Sequence, residues 1–234
     1  MMLLILVAAF SMAGPVTDPD GGTLVERVGG DLEIRLETRE GPEGPLYRSG
    51  RASTDTKLPV GYPAPTPPGA IELKSYPMVR RAEVSGEAGT GVMGSRGFFP
   101  LFQHITREGI AMTAPVEMEY GGDGAPESWT MAFLYHSEED GPTGEAAGDV
   151  VVVDAPPVTV LSLGVRGVSN LNDPEERVGP LYAWLEASDE WRAVEGAPLR
   201  VLGYNGPYVP AAFRWWEVQV VVERVADETA AQEE

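Results

Sequence analysis

The middle of the chain indicates the fold class, because a helical pattern there is followed at once by two strand patterns. Residues 98–105 place four apolar side chains at helical spacing on one face: Phe98, Leu101, Phe102 and Ile105. Residues 110–120 and 128–135 follow, separated by a glycine-rich break. The second of these alternates, with Trp129, Met131 and Phe133 on one side. The centre therefore predicts helix, strand, turn and strand.

Residues 71–84 predict a further strand ahead of this helix, so the order strand, helix, strand, strand is predicted twice, at residues 71–135 and again at residues 158–225. The helix of the second unit spans residues 174–187, where Asp173 suits the N-cap and Pro174 the first helical position. Its apolar face is formed by Val178, Leu181, Tyr182 and Leu185. Two such units predict an α+β fold, in which an antiparallel sheet carries two helices on its outside.

The flanking stretches complete a single predicted domain of residues 14–225. Residues 24–36 alternate, which predicts an opening strand with Leu32, Ile34 and Leu36 on one face. Residues 38–69 contain seven prolines and predict a long irregular insertion. The last residues, 226–234, form an acidic tail.

The first 13 residues predict an export signal. Residues 1–10 are continuously apolar but about half as long as a membrane span requires. Residues 11–13 have small side chains at the outer positions, as signal peptidase requires. The segment has no Lys or Arg, so an uncleaved anchor and a misassigned start codon are the alternatives. If the segment is cleaved, we expect an exported protein, periplasmic or secreted.

The charge of the chain excludes several classes of partner. Its 234 residues include 36 acidic and 17 basic ones, for a net charge of −19. Nucleic-acid binding and attraction to anionic membranes both depend on Lys and Arg. We therefore expect no nucleic-acid partner and no stable membrane association after signal cleavage. Because the chain has no cysteine, disulfides and thiolate nucleophiles are excluded as well.

Three blocks of the sequence, in this order, resemble the SOUL/haem-binding protein family. Residues 112–116 read Met-Thr-Ala-Pro-Val, similar to the family's Met-Thr-x-Pro-Val signature, and a helix precedes them. Residues 160–167 and the helix after them resemble the second strand-helix unit. The third block, residues 204–218, resembles the closing Tyr-x-x-Pro … Arg-Arg-Asn-Glu-Val segment, but Trp215 and Trp216 replace its Arg-Asn pair. The resemblance covers residues 71–225, without the insertion at 38–69.

This resemblance implies both a fold and a function. The fold is a distorted antiparallel β-barrel built from two β-α-β-β repeats with two helices packed outside. The function is non-enzymatic binding of haem or another tetrapyrrole in an apolar surface groove, as a carrier, buffer or scavenger. Two alternatives stay open: an effector-binding or protein-interaction module for another apolar ligand, and a structural domain without a ligand.

Haem requires an apolar slot for its ring and cationic or donor groups for its two propionates. The apolar candidates are Met93, Phe98, Phe102, Met112 and Met131, although such side chains are more often ordinary core. The cationic candidates are Arg96, Arg107, Arg166, Arg177 and Arg214, any one of which alone suits a solvated surface. From these two sets we select Met93, Phe98, Phe102, Met112, Arg166 and Arg177 as predicted haem-binding residues.

The chain has two histidines that could serve as an axial ligand. Helical projection places His104 about 120° from the apolar face, at the edge of the polar side. There it either reaches an outer groove as an iron ligand or is a simple exposed histidine. His136 ends a strand and is predicted to be a loop residue. Residues 89–94 spell G-x-G-x-x-G, but the charged strand before them does not suit a dinucleotide fold, so we predict a flexible loop.

Overall fold

The computed structural model describes residues 24–87, 96–121, 128–167, 175–206 and 208–225. Within these ranges the chain forms an eleven-stranded sheet, a three-stranded sheet and two α-helices. The helices are α1 (Phe98–Glu108) and α2 (Glu175–Glu186). Several predictions fall outside the described residues: the signal segment 1–13, the motif 89–94 with Met93, the cap at Asp173 and Pro174, and the tail 226–234.

Fourteen strands are described, and the paired ones run antiparallel. In chain order they are β1 (Leu24–Gly30), β2 (Glu37–Gly41), β3 (Gly44–Ser49), β4 (Ala52–Ser53), β5 (Ala70–Tyr76), β6 (Val79–Glu87), β7 (Val116–Tyr120), β8 (Ser128–Leu134), β9 (Gly144–Glu145), β10 (Val151–Ala155), β11 (Val158–Arg166), β12 (Trp191–Ala193), β13 (Leu199–Gly203) and β14 (Trp215–Arg224).

The large sheet is open. Its strand order is β1-β5-β11-β14-β13-β7-β8-β6-β10-β9, with β12 paired to β14, while β2, β3 and β4 form the small sheet. Among the described residues, β1 and β9 are the two ends of the large sheet and do not pair with each other. The fold is therefore α+β with a mostly antiparallel sheet, and the closed barrel is not confirmed.

The strand order contains two equivalent units. The first is β6-α1-β7-β8 and the second is β11-α2-β13-β14, and in each the last strand lies between the other two. The units meet where β7 pairs with β13. Both helices pack on one face of the sheet, because Leu101 of α1 and Leu181 of α2 belong to the same buried cluster. We call this the helix face.

Both faces of the sheet are buried. Along β8, Met131 and Phe133 belong to the helix-face cluster, whereas Leu134 belongs to a second cluster on the opposite face. The predicted alternation of this strand is thus present. The opposite face is covered by residues from the segment that precedes β5, including Tyr47 and Tyr62.

The helix α1 buries Leu101 and Ile105 of the predicted apolar face, but the buried face is rotated from the predicted one toward His104. His104 is buried, whereas Phe102 is 47% exposed. The projection was wrong in these two positions, because it placed Phe102 on the apolar face and His104 at the polar edge. His104 instead has a hydrogen-bonding partner inside the protein, the hydroxyl of Tyr135.

The opening strand is shorter than predicted. β1 ends at Gly30, which has a φ of 66°. A side chain at this position would meet the Gly69 carbonyl oxygen, and Asp31 donates its N–H to that oxygen. The chain turns away here, so Leu32 is 62% exposed and residues 31–36 do not continue the strand.

The proline-rich insertion is not irregular throughout, which corrects the prediction for residues 38–69. β2 and β3 pair as a hairpin, and β4 extends it. Residues 57–69, which we call the strap, cross the opposite face of the sheet and bury Leu58, Tyr62 and Thr66. Its prolines lack N–H groups and suit neither a helix nor a central strand. The strap nevertheless packs as part of the core.

Candidate ligand-binding site

A row of apolar residues, two of them half-buried, crosses the helix face at one level of the sheet. Phe133 is paired with Val116, Val116 with Gly203, and Gly203 with Trp216. Phe133 and Gly203 are buried, whereas Val116 and Trp216 are half-buried. Three strand spacings separate Phe133 from Trp216, a width of about 14 Å. We call Phe98, Val116, Gly203 and Trp216 the apolar band; Met112 packs against the same helix-face cluster.

Phenylalanines of α1 form one end of the apolar band. The ring of Phe98 meets Phe133 edge-on, with centroids 5.0 Å apart. Phe102 stacks on Phe98 with a centroid distance of 5.9 Å and an interplanar angle of 14°. Phe99 is 56% exposed and also contacts Phe98. This end of the band therefore presents aromatic surface that the core does not cover.

Trp216 forms the other end of the band. A Cβ atom placed on Gly203 would lie 2.7 Å from Cζ3 of Trp216, so the indole lies directly against the glycine backbone. The indole N–H donates to the carbonyl oxygen of Gly167 at 3.1 Å. These two contacts fix the position of the ring.

Arg166 ends β11 near the Trp216 end of the band but does not face it. Val165 is paired with Trp216, whereas Arg166 is paired with Trp215, which lies on the opposite face of the sheet. The Arg166 side chain is exposed, and its Nη1 donates to the Ala212 carbonyl oxygen at 3.1 Å.

The structure brings together some of the predicted site residues and separates others. Phe98 and Phe102 lie in or beside the apolar band, and Met112 packs against the same helix-face cluster. Arg166 lies on the opposite face. Arg177 is exposed on α2, and no contact among the described residues joins it to the band. Met131 is 2% exposed and belongs to the core.

The other arginine candidates lie elsewhere or have partners of their own. Arg96 is exposed just before α1. Arg107 pairs with Glu108 at 2.8 Å, and Arg214 donates to the Val209 carbonyl oxygen at 2.8 Å. None of these contacts reaches the band.

His104 is not exposed at the edge of a groove. It is 5% exposed; its Nε2 lies 2.8 Å from the Tyr135 hydroxyl, and its Nδ1 lies 3.4 Å from Nη2 of Arg107. Burial lowers the pKa of His104; Glu108 opposes this shift and Arg107 adds to it. Iron ligation would require the loss of the Tyr135 contact, so the axial-ligand role stays a prediction. His136 bonds through Nδ1 to the Leu58 carbonyl oxygen at 3.0 Å.

The opposite face of the sheet holds a buried carboxylate, Glu217, which is 0% exposed. Lys74 is also 0% exposed, and its Nζ lies 3.0 Å from Glu217 Oε1. The strap contributes the N–H of Thr66 to the same oxygen at 2.6 Å. Sheet side chains supply the other donors: Tyr76, Ser162, Tyr204 and Gln219.

A second buried carboxylate, Glu117, ties the strap to the sheet in the same way. The Tyr62 hydroxyl donates to Glu117 at 2.7 Å, and Nη2 of Arg200 donates at 2.9 Å. Lys74 donates in return to the Ala64 carbonyl oxygen of the strap at 2.7 Å. The strap thus supplies both donors and acceptors to groups of the sheet.

The charges of this opposite face are fully compensated. Burial alone would raise the pKa of Glu217, but Lys74 and donors from Ser162 and Thr66 hold that pKa below its usual value. Burial raises the pKa of Tyr62, and the charge of Glu117 raises it further. Among the buried side-chain polar atoms described, only Ser49 Oγ has no hydrogen-bonding partner. We interpret this face as closed structural core.

A separate cavity of about 450 Å³ lies beside α2, which is large enough for a small molecule. The cavity lies near Leu199, the first residue of β13. The apolar band crosses β13 at the other end, at its last residue, Gly203. None of the predicted haem-binding residues lines it. The lining residues are Val178, Tyr182, Ala193, Val194, Glu195, Gly196, Ala197, Pro198, Leu199, Val220 and Val221.

Sequence reasoning missed Gly203 and Trp216 as site residues and Glu117 and Glu217 as buried groups. Trp216 was noted only as a departure from the family pattern. The importance of Gly203 depends on its strand pairing with Trp216, which no local pattern reveals. The two glutamates alternate with apolar residues, a pattern that normally indicates an exposed face.

Neither described helix is long and apolar enough to cross a membrane. In the described part of the chain, no three His, Cys, Asp or Glu side chains group in a way that could hold a metal ion.

Comparison with solved structures shows the fold that the chain shares with others. The C-terminal domain of EcmrR matches with a TM-score of 0.51 and 16% identity, over 66% of this chain and 98% of that domain. An uncharacterized conserved protein from Listeria innocua matches with a TM-score of 0.51 and 14% identity, over 68% of this chain and 94% of that one. At these identities the likeness concerns the fold alone.

Comparison of sequences shows the family. None of the curated proteins compared with the chain matches it. Residues 63–221, however, match the family described as SOUL heme-binding protein. This region begins within the strap and includes both β-α-β-β units and every residue of the apolar band. It confirms the resemblance drawn from residues 112–116 and the two later blocks. The chain belongs to the SOUL haem-binding protein family.

Proposed function

We propose that the protein binds haem or a related tetrapyrrole, without covalent attachment, on the apolar band. The observation that carries this proposal is the row of apolar side chains between the stacked Phe98 and Phe102 and the indole of Trp216. Flat aromatic ligands stack on such surfaces. Membership of the family supports haem as the ligand class.

The residues present fit a tetrapyrrole ring better than they fit strong iron ligation. The band offers aromatic and aliphatic surface for the ring. The described histidines point elsewhere, since His104 contacts Tyr135 and His136 contacts Leu58. The bound group would supply its own ring and iron chemistry, while the protein holds the ring and shields one side of it from water.

Titration of the full chain with haemin tests this proposal. We expect the Soret band to shift and to saturate at one equivalent of haemin. Replacement of Phe102 by Ala should weaken binding about tenfold, because it removes a stacking face. A haemin spectrum that stays unchanged at micromolar protein would rule out haem binding.

Two matched variants control for general effects. Tyr182→Ala is the partner control for Phe102→Ala, because Tyr182 is 46% exposed on the other helix and lies outside the band. Arg166→Gln, on the opposite face, and Arg192→Gln, on the exposed β12, should both leave haemin binding nearly unchanged. Equal losses in all four variants would argue against the band as the site.

We further propose that the protein acts as a carrier, buffer or scavenger and leaves the ligand chemically unchanged. Haemin recovered after long incubation with the protein should be intact. Export of the protein is a second expectation, based on residues 1–13. Cell fractionation and N-terminal sequencing of the mature protein test it directly.

A further inference from the structure

The indole of Trp216 is held more tightly than a surface tryptophan needs to be. Its partner in the strand pairing is Gly203, and any side chain at that position would collide with the ring, since a Cβ there would be 2.7 Å from Cζ3 and 3.1 Å from Cε3. The Gly167 carbonyl accepts the indole N–H at 3.1 Å and fixes the ring from its other edge. The ring is nevertheless only half-buried. A pinned, partly exposed indole is a preformed stacking surface.

Among the described residues, the surroundings of this ring are poor in positive charge. The apolar band carries no charged side chain, and Arg166, which ends the neighbouring strand, is paired with Trp215 on the opposite face. The whole chain carries a net charge of −19. One or two ligand carboxylates can extend past the edge of the band into water. Each further carboxylate would face a repelling protein without a partner.

At residues 215 and 216 the sequence departs from the family pattern that it resembles. Trp215 and Trp216 stand where the closing segment of the family pattern has an Arg-Asn pair. Trp215 points to the opposite face, is 0% exposed and donates its indole N–H to the Thr66 carbonyl oxygen of the strap at 2.7 Å. Only Trp216 faces the band. At position 216 the chain therefore has an aromatic ring facing the band, where the family pattern has a polar side chain.

We propose that Trp216, fixed over Gly203, makes the site selective for flat tetrapyrroles that carry few carboxylates. This inference rests on the proposed function and names the ligand class of the same site. A dicarboxylate porphyrin can stack on the indole and extend both carboxylates past the edge of the band into water. An octacarboxylate porphyrin has the same ring but places charged groups around its entire rim, including the part that lies over the apolar band.

The experiment compares two metal-free porphyrins, protoporphyrin IX with two carboxylates and uroporphyrin with eight, so that iron ligation cannot contribute. Dissociation constants are measured by fluorescence titration of the full chain. We expect protoporphyrin to bind at least about tenfold more tightly than uroporphyrin. Trp216→Asn should weaken the binding of protoporphyrin about tenfold and leave the binding of uroporphyrin nearly unchanged. The ratio of the two dissociation constants should therefore fall toward one.

Further variants separate stacking from folding. Trp216→Phe should keep most of the selectivity, because a smaller ring still stacks. Gly203→Ala should act like Trp216→Asn if it displaces the indole. Trp191→Phe is the tryptophan control, since Trp191 lies on β12 and packs against Arg224. Thermal unfolding of each variant shows whether it is folded.

The outcomes distinguish this inference from the proposed function. If the native protein binds both porphyrins equally well, or if Trp216→Asn leaves the ratio unchanged, the selectivity is overturned and tetrapyrrole binding stands. If the folded native protein binds neither porphyrin at micromolar concentration, both the proposed function and the selectivity are overturned.

Discussion

Glu217 shows what a single buried charge does in this protein. It lies on β14 between Trp216 and Val218, has no solvent contact, and accepts hydrogen bonds from both the sheet and the strap. Lys74 compensates its charge. Neither ion could remain buried without the other, because an unpaired charge in the interior costs several kcal/mol.

We expect Glu217→Gln to lower the free energy of unfolding by about 3–5 kcal/mol, because the buried Lys74 would keep only the more distant Glu72, at 4.0 Å, as an ion-pair partner. The control on the same strand is Glu223→Gln, which breaks an exposed pair with Arg192 and should cost less than about 1 kcal/mol. Urea unfolding measures both. A loss for Glu217→Gln as small as that of the control would mean that the buried pair contributes little.

His104 predicts a dependence of stability on pH. Burial lowers its pKa in the folded protein below the value of about 6.5 found in unfolded chains, so the unfolded state takes up the proton first. The contribution of neutral His104 to the free energy of unfolding is therefore complete above about pH 6.5. It is lost as the pH falls through the lowered pKa of the folded state.

The measurement is the free energy of unfolding of native protein and His104→Gln from about pH 8 to about pH 5. The native curve should fall more steeply below about pH 6.5 than the curve of the variant. His136→Gln is the control and should keep the native slope. Parallel native and His104→Gln curves would contradict the assignment of this pH dependence to His104.

At the scale of single residues, some features could be predicted from the sequence and others could not. The helical spacing of α1 was sufficient to predict the helix, but its rotation depends on the contact between His104 and Tyr135, which are 31 positions apart. Phe98 and Phe102 were predicted as site residues and lie in or beside the apolar band, whereas Arg166 lies on the opposite face. Trp216 was not, because its role depends on the neighbouring strand.

At the scale of elements, the two β-α-β-β units were predictable because each strand alternates and each helix has an amphipathic spacing. The strap was not. Its prolines indicated a surface loop, yet Tyr62 and Thr66 bond to carboxylates 55 and 151 positions away. Local patterns carry no information about such distant partners, so a buried proline-rich segment resembles an exposed one.

The contact between the strap and β11 depends on a glycine. A Cβ atom on Gly164 would lie 2.2 Å from the carbonyl oxygens of Thr66 and Pro67. We expect Gly164→Ala to lower the free energy of unfolding by more than about 2 kcal/mol, because the backbone of the strap would have to move. Thermal or urea unfolding measures the effect.

A second glycine provides the control. Gly179 lies within α2, and a Cβ atom there meets no atom within 4 Å. Gly179→Ala should therefore raise stability by about 0.5–1 kcal/mol, since alanine favours the helix. If both substitutions change the free energy of unfolding in the same direction, the close packing of the strap does not determine the effect at position 164.

At the scale of the whole molecule, the net charge of −19 should oppose every anionic ligand. Salt screens this repulsion. We expect the association rate of a dicarboxylate porphyrin to increase several-fold between about 10 mM and about 150 mM salt. Stopped-flow tryptophan quenching measures the rate.

The dimethyl ester of the same porphyrin is the control, because it carries no carboxylate charge and its rate should change little with salt. A rate that falls as salt increases would instead indicate that positive side chains dominate the encounter.

The strap also bears on how the protein can be shortened. The region shared with the family begins at residue 63, one position after Tyr62. A fragment cloned from that boundary would retain Ala64 and Thr66 but lose the hydroxyl that bonds to Glu117, together with Leu58 and the hairpin of β2 and β3. The family boundary is therefore a poor starting point for expression, and a fragment that begins ahead of β1 keeps the domain whole.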